Sequence, residues 1–309
     1  MEELLQNELN TKTLKCLGRS GGCVNEGTSY MTDLGKIFVK FNNKSGAKLM
    51  FDGELVSLDV MHAMDVVKVP KPIKVISVPE GGAMIAMEYL DLSRGLSKCS
   101  AILGEQLARL HLLNEELGKK MKNSENSVHK NPHYKFVDKF GFDVTTCCGY
   151  LPQDNTWQDD WIKFYARKIE VQMELLDKKY RDKEARELWS QILAKLPLLF
   201  EGSNIQPALL HGDLWAGNVA ETSQGPVMFD PACFYGHSEF DLSISRLFGG
   251  FSQSFFDAYH KLIPQAPGYR ERLELYKFFH YINHWNHFGD GYRGSTIGTM
   301  KTIVKTLGS

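Results

Sequence analysis

Leu209-Leu210-His211-Gly212-Asp213-Leu214-Trp215-Ala216-Gly217-Asn218-Val219 and, shortly after, Val227-Met228-Phe229-Asp230 set the frame for the rest of the chain. Short apolar runs suited to buried strands enclose a loop carrying His-x-Asp. An Asn follows that Asp by five residues, and a second Asp follows it by seventeen. This order suits phosphoryl transfer, which asks little covalent work of a protein. It needs a held hydroxyl nucleophile, Mg²⁺ bridging the phosphates, and fixed charge where negative charge spreads. Asp213 is the candidate base, with Asn218 and Asp230 as candidate Mg²⁺ ligands. Either motif alone is weak; in order, between apolar strands, they reinforce each other.

Such a site also needs a lysine for the α- and β-phosphates of ATP and a glutamate to hold it. Lys36-Ile37-Phe38-Val39-Lys40-Phe41 alternates like a half-buried strand and places Lys40 near its end. Fourteen residues later, Glu54 lies in the helical stretch 47–58, with Leu55, Leu58 and Met61 on one face and Glu54 at its margin. Lys40 and Glu54 are therefore predicted to pair. Upstream, the glycine-rich run 18–27 offers Gly21 and Gly22 as a cover over the phosphates, since glycine lets backbone amides approach closely. It is neither G-x-G-x-x-G nor a Walker loop. Ala83-Met84-Ile85-Ala86-Met87-Glu88-Tyr89-Leu90 reads as a buried strand leading into a crossing point. Met87 would back the adenine pocket, and the backbone of Glu88, Tyr89 and Leu90 would meet the adenine edge.

Longer runs are more specific than this skeleton. They are Leu210–Trp215, Thr146-Cys147-Cys148-Gly149-Tyr150-Leu151-Pro152, Phe234-Tyr235-Gly236-His237-Ser238-Glu239-Phe240 and Asn283-His284-Trp285-Asn286-His287-Phe288-Gly289. On these runs the chain resembles the fructosamine-3-kinase family, on its ketosamine-directed branch, over nearly its whole length. The resemblance implies an α+β, two-lobed, protein-kinase-like fold similar to aminoglycoside phosphotransferases. A small β-rich lobe (1–90) would bind nucleotide, and a larger, mainly helical lobe (91–309) would carry catalysis and substrate. It also implies ATP-dependent phosphorylation of O3 on the sugar of ketosamines, free or on protein lysines. Ribulosamines and psicosamines are expected ahead of fructosamines. A phosphate at C3 beside a C2 ketone can leave by β-elimination after enolisation, so the sugar departs and the amine returns. The alternatives are another small-molecule kinase on this fold, or a non-catalytic scaffold. The joint presence of Lys40, Glu54, Asp213, Asn218 and Asp230 counts against the scaffold.

Departures from protein kinases narrow the acceptor. Gly212 stands where His-Arg-Asp has its arginine, Asp230-Pro231-Ala232 replaces Asp-Phe-Gly, and no Ala-Pro-Glu closes an activation segment. Regulation by loop phosphorylation and a peptide hydroxyl acceptor are both disfavoured. Trp215, two residues beyond the base, and the pair His284 and Trp285 are candidate walls of the sugar pocket. His280, His284 and His287 recur at helical spacing, but no acidic residue lies at a suitable local spacing for a metal. Asp241 is expected to brace the catalytic loop, and His211 to hold it through hydrogen bonds.

Composition sets outer limits. The 309 residues are 43% hydrophobic and 24% charged, with a formal net charge of −1. That balance argues for an ordinary globular protein and against nucleic acid or an anionic membrane as partner. No apolar run reaches the roughly 18 residues of a membrane span, and Met1–Leu5 is no secretory signal, so a cytoplasmic protein is expected. Six cysteines show no C-x-x-C spacing, and free thiols are the expectation. Cys23, among the glycines, is the redox candidate, giving a monomer or a redox-linked dimer. Expected elements are a helix over 2–9, strands within 13–40, a helix over 45–64 and strands over 72–78 and 83–89. Further helices are expected from Ser100, over 156–178, 183–200, 251–262 and 269–288, with a loop over 119–133.

Overall fold

The computed structural model describes residues 1–21, 25–123 and 135–308. Gly22 and Cys23 lie outside the described residues. Helix α1 (Glu2–Leu9) precedes strands β1 (Leu14–Gly21), β2 (Glu26–Thr32) and β3 (Gly35–Asn42), then helix α2 (Ala47–Met64) and strands β4 (Pro72–Ser77) and β5 (Ala83–Glu88). The strands form one antiparallel sheet in the order β1-β2-β3-β5-β4.

Strand alternation sorts the two faces of this sheet. Ile37, Val39, Ile76, Met84 and Ala86 pack with Leu5 of α1 on one face. Ala83, Ile85 and Met87 join the α2 core on the other. Phe38 pairs with Met87 and Lys40 with Ile85, so Lys40 shares that second face. Helix α2 buries Met50, Phe51, Glu54, Leu58 and Met61, a stripe at spacings of three and four. Glu54 thus sits within the buried stripe rather than at its margin, while Leu55 is only partly buried. The facing lysine explains why a carboxylate is tolerated there.

After a short strand β6 (Ser93–Arg94) comes helix α3 (Ser100–Asn123), then β7 (Cys147–Cys148), β8 (Leu151–Pro152), α4 (Trp161–Lys179) and α5 (Lys183–Lys195). Strands β9 (Ala208–Leu210), β10 (Val219–Thr222), β11 (Gly225–Met228) and β12 (Phe234–Gly236) follow, then helices α6 (Glu239–Leu247), α7 (Gln253–Leu262), α8 (Tyr269–Phe288) and α9 (Arg293–Gly308). β10 and β11 form an inner hairpin, while β9 and β12, outside it in sequence, pair with each other. This nesting brings loops 211–218 and 229–233 together. The backbone ties them: Ala232 N donates to His211 O (2.8 Å) and Phe229 N to Asn218 O (3.0 Å). Glu221 of β10 accepts from the amides of Ser97, Lys98 and Cys99 at 2.6–2.7 Å, fixing the start of α3.

Several boundaries differ from expectation for local reasons. Helix α4 starts at Trp161, because Asp160 is an extended N-cap whose carboxylate accepts from Lys163 N. The expected helix over 183–200 ends at Lys195 and continues as a 3₁₀ turn, with Pro197 near its start. α3 runs on to Asn123, so 119–123 is helical rather than loop. α6 and α9 were not anticipated. α6 is only nine residues long and buries Asp241, Ser243 and Ser245 beside its apolar residues. α9 is rich in Gly and Thr, and buried Thr296 and Thr299 interleave with Ile297, Met300 and Ile303. No described helix is long and apolar enough to cross a membrane.

Within the helical half, Lys168 of α4 is 2% exposed. Its amine donates to Gln153 Oε1 (2.8 Å) and lies 4.1 Å from the Phe234 ring centroid. Burial pulls it down to about 7 from an ordinary 10.5. The unfolded chain therefore binds more protons than the folded one between those values, so stability rises with pH, by up to about 1.4 kcal/mol per unit. Buried Cys148 and Cys233, whose values are raised, act in the opposite direction above about pH 8.5. The expected outcome is a melting temperature that climbs from pH 7 to 8.5 in the native chain and is flatter in Lys168→Met; equal slopes in calorimetry would contradict it.

Candidate active site

The nested loops meet the five-stranded sheet across a cleft of about 790 Å³. Lys40 is 6% exposed and Glu54 7%, and Lys40 Nζ lies 2.5 Å from Glu54 Oε1. The same amine pairs with Asp230, which thus joins sheet, helix and loop. Burial alone would discharge this lysine, but the carboxylates of Asp230 and Glu54 outweigh it and raise its value. Asp230 takes up a left-handed backbone (φ 58°), costly for a residue with a Cβ. Its side chain remains 42% exposed.

Asp213 projects from loop 211–218, partly buried. Burial, reinforced by the charge of Asp230, pushes its carboxyl up to about 7. Asn218 Nδ2 donates to Asp213 O (2.8 Å) and contacts Asp213 Oδ2 (3.3 Å), locking the loop across its base. Asp241, fully buried, accepts from His211 N (2.7 Å) and Gly212 N (2.9 Å) and meets His111 Nε2 at 3.2 Å. Burial would raise its carboxyl, but the His111 and Gly212 contacts hold it below the ordinary range. His211 Nε2 contacts Phe229 O (3.0 Å), so its ring spans from one loop to the other.

Gly212 has a physical reason for its identity. Its φ is +82°, and a Cβ there would lie 2.2 Å from Ala232 O. An arginine cannot occupy this position without opening the loop. At Gly217, a Cβ would strike the Trp215 indole at 2.2 Å, so this glycine lets the ring fold over its own loop.

Of the residues expected from sequence, Lys40, Glu54, Met87, Glu88, Tyr89, Leu90, Asp213, Trp215, Asn218, Asp230 and His284 all line the one cleft. Gly21 ends β1, paired with Glu26. One expectation needs correction. Trp285 is fully buried, its ring 5.5 Å from Tyr180 and its Nε1 donating to Asp290, so it supports the cleft wall from behind. On α8 it lies one residue past His284, which turns its side chain by about 100°. Glu88 N donates to Lys71 O, and its carboxylate pairs with Lys68 at 2.8 Å. The Glu88 amide is thus committed, while the residue itself still lines the cleft beside Tyr89 and Leu90.

His284 Nδ1 donates to His280 O (2.7 Å), leaving Nε2 as an acceptor, and burial keeps the ring neutral by lowering its value. Cys148, Asn283 and His287, quoted in sequence only within longer runs or as a histidine series, also line the cleft. His287 Nε2 accepts from Tyr150 N (3.1 Å) and so pins the β7–β8 hairpin to α8. The four-residue spacing of Asn283 and His287 hinted at a shared face; the hairpin opposite did not show.

The fructosamine kinase family model matches residues 2–306. Mouse ketosamine-3-kinase is 54% identical over 310 aligned residues, covering 99% of this chain and 100% of that protein. The chloroplastic protein-ribulosamine 3-kinase of Arabidopsis thaliana is 38% identical, covering 99% and 87%. A solved structure from Haemophilus somnus 129PT assigned to the fructosamine-3-kinases superposes with a TM-score of 0.77 at 24% identity, covering 97% of this chain and 95% of that one. Aminoglycoside phosphotransferase APH(4)-Ia superposes at 0.58 and 15% identity, covering 100% and 98%. At these identities the two structures speak for the fold alone: a two-lobed, kinase-like α+β architecture. With a family match across nearly the whole chain and a mammalian relative at this identity, the chain belongs to the fructosamine kinase family.

Proposed function

We propose that this protein transfers the γ-phosphoryl group of ATP to O3 of the sugar in ketosamines, free or attached to protein lysines. One observation carries the reading: a lysine bridging Glu54 and Asp230 opens on the same cleft as Asp213 and the Trp215 and His284 walls. Asp213 would orient the sugar hydroxyl and accept its proton. Its elevated carboxyl suits a base working near neutrality. Lys40 would face the α- and β-phosphates, and residues 1–90 would form the nucleotide lobe against 91–309. Tyr89 and Leu90 would meet the adenine, and His284 Nε2 would accept from an acceptor hydroxyl.

Mg²⁺ fits the donor set. Asn218 commits its Nδ2 to Asp213, which leaves its carbonyl oxygen available, and Asp230 keeps an exposed carboxylate; both are hard oxygen ligands. Bound there, the ion would offset phosphate charge. The five described cysteines are free thiols, which agrees with work in a reducing, ATP-rich compartment such as the cytosol.

The test is Mg²⁺-dependent ADP release with a ribulosamine, a psicosamine, a fructosamine and an aminoglycoside as acceptors. Turnover is expected with the first two, less or none with fructosamine, and none with the aminoglycoside. Release only with the aminoglycoside would replace the ketosamine with another small-molecule acceptor.

A further inference from the structure

Behind Asp213, against the cleft wall, stands a polar cluster in which only Asp213 has a part in the proposed phosphoryl transfer. Cys148 Sγ, a carboxylate oxygen of Asp213 and a ring nitrogen of His280 all lie within 4.8 Å of one another. They come from the β7–β8 hairpin, the catalytic loop and helix α8, distant in sequence. His280 is 0% exposed, and neither ring nitrogen has a hydrogen-bond partner among the described residues. A buried imidazole with both nitrogens unanswered forfeits the full cost of desolvation, so it calls for an occupant. Asn283, 3% exposed and one helical turn from His280, also has an unanswered Nδ2. Its Oδ1 lies 3.7 Å from Cys148 Sγ.

We propose that Cys148, His280 and Asp213 form a binding site for a borderline-soft divalent cation, Zn²⁺, and that its occupancy shuts off the kinase by capturing Asp213. The donor set is one thiol sulfur, one imidazole nitrogen and one carboxylate oxygen. Zinc takes all three, whereas Mg²⁺ seeks an oxygen shell. Zinc–ligand bonds of about 2.0–2.3 Å at tetrahedral angles place neighbouring donors about 3.3–3.7 Å apart. Cys148 Sγ and Asn283 Oδ1 already stand at that separation, which makes the amide oxygen the natural fourth donor. The donor atoms of Cys148, Asp213 and His280, within 4.8 Å of one another, need to close by about 1.5 Å or less, within reach of rotations about their side-chain bonds. On coordination, the Cys148 thiol gives its proton to solvent.

The donor set differs in chemistry from the Asn218 and Asp230 oxygens that would take Mg²⁺, although Asn218 touches Asp213. A metal on Asp213 blocks the acceptor hydroxyl and leaves Lys40, Glu54 and the adenine crossing untouched. Inhibition should therefore compete with the sugar acceptor and not with ATP. This inhibitory consequence rests on the proposed role of Asp213; the binding itself does not.

The test uses the full chain freed of transition metals. Zn²⁺ binding is measured by competition with a chromophoric chelator. Co²⁺ is then substituted to look for a thiolate-to-cobalt charge-transfer band. ADP release is followed against added Zn²⁺ at fixed excess Mg²⁺. One equivalent is expected to bind, with the cobalt band present. Affinity should fall at least tenfold in both Cys148→Ser and His280→Gln, and activity lost to Zn²⁺ should return with excess acceptor. Melting curves establish that each variant is folded, and the cobalt band of the unmodified chain decides the ligand set if one is not. Absence of stoichiometric binding, a missing thiolate band, or equal affinity in folded variants would overturn the site. Relief by excess Mg²⁺ and ATP instead of acceptor would place the zinc on the phosphate metal ligands and overturn the inhibitory assignment. If no ketosamine is turned over, the chelator and cobalt readings still judge the site alone.

Discussion

Asp213→Asn is expected to lower acceptor-dependent turnover by about 10²–10⁴-fold while ATP affinity stays within about twofold. The amide keeps the volume and the bond to Asn218 but cannot accept the hydroxyl proton. Lys40, Glu54 and Asp230, which would handle the phosphates, are unaltered. A pH dependence accompanies this loss. The ionised carboxylate is the working form, and burial with the charge of Asp230 raises its value to about 7 in the free protein. Acceptor kcat/KM and kcat should level off at high pH and fall about tenfold per unit at low pH, because protonation removes the base. A cation on Asp230 offsets the second of those causes, so at saturating Mg²⁺ and ATP the fall should begin below that value. Turnover of Asp213→Asn within tenfold of the native chain, measured by ADP release, would remove Asp213 as the base.

Arg272→Met should destabilise the protein by about 3–5 kcal/mol. Arg272 opens α8 fully buried and forms a two-point pair with Glu239 of α6, at 2.7 Å on each side. Its Nη1 also donates to Pro267 O (2.7 Å), Ser203 Oγ (3.1 Å) and Leu199 O (3.2 Å). Removing the guanidinium leaves a buried carboxylate, already raised by burial, without its counter-charge. Arg272→Met/Glu239→Met should recover part of the loss, since two apolar groups replace an ion pair at little cost. Recovery is incomplete because the carbonyls of Leu199 and Pro267 lose their donor. Activity should suffer too: Glu239 and Asp241 share the first turn of α6, and Asp241 holds the amides of His211 and Gly212. Denaturant unfolding of the three variants measures this. A double variant no more stable than Arg272→Met would show that the ion pair is not the source of the cost.

Much of the cleft could be read from local sequence. Residues that act within one loop, such as Asp213 and Asn218, carry their relation in their spacing. The strand bearing Lys40 and the helix bearing Glu54 declare themselves by period, and the ion pair between them follows once both faces are assigned. Helix α6 is short and α9 is rich in Gly and Thr, and their buried positions include Asp, Ser and Thr, of which Asp241 and Ser245 bond to the catalytic loop while Ser243 and Thr296 bond to nearby carbonyls. Trp285 was misplaced because neighbours on a helix point in different directions.

The sequence alone determined the order of chemical groups along the chain and the candidate base and metal ligands, since each depends on residue type and short-range spacing, while the two-lobed fold class came from the resemblance of its longer runs to a known family. Only the tertiary structure decided what stands beside Asp213. Cys148, His280 and Asn283 converge there from a two-strand hairpin and a helix more than 130 residues later. It also decided why Gly212 must be glycine, a matter of the Ala232 carbonyl across the loop. Contacts of that range are set by how buried surfaces pack, and no local pattern of residues encodes them.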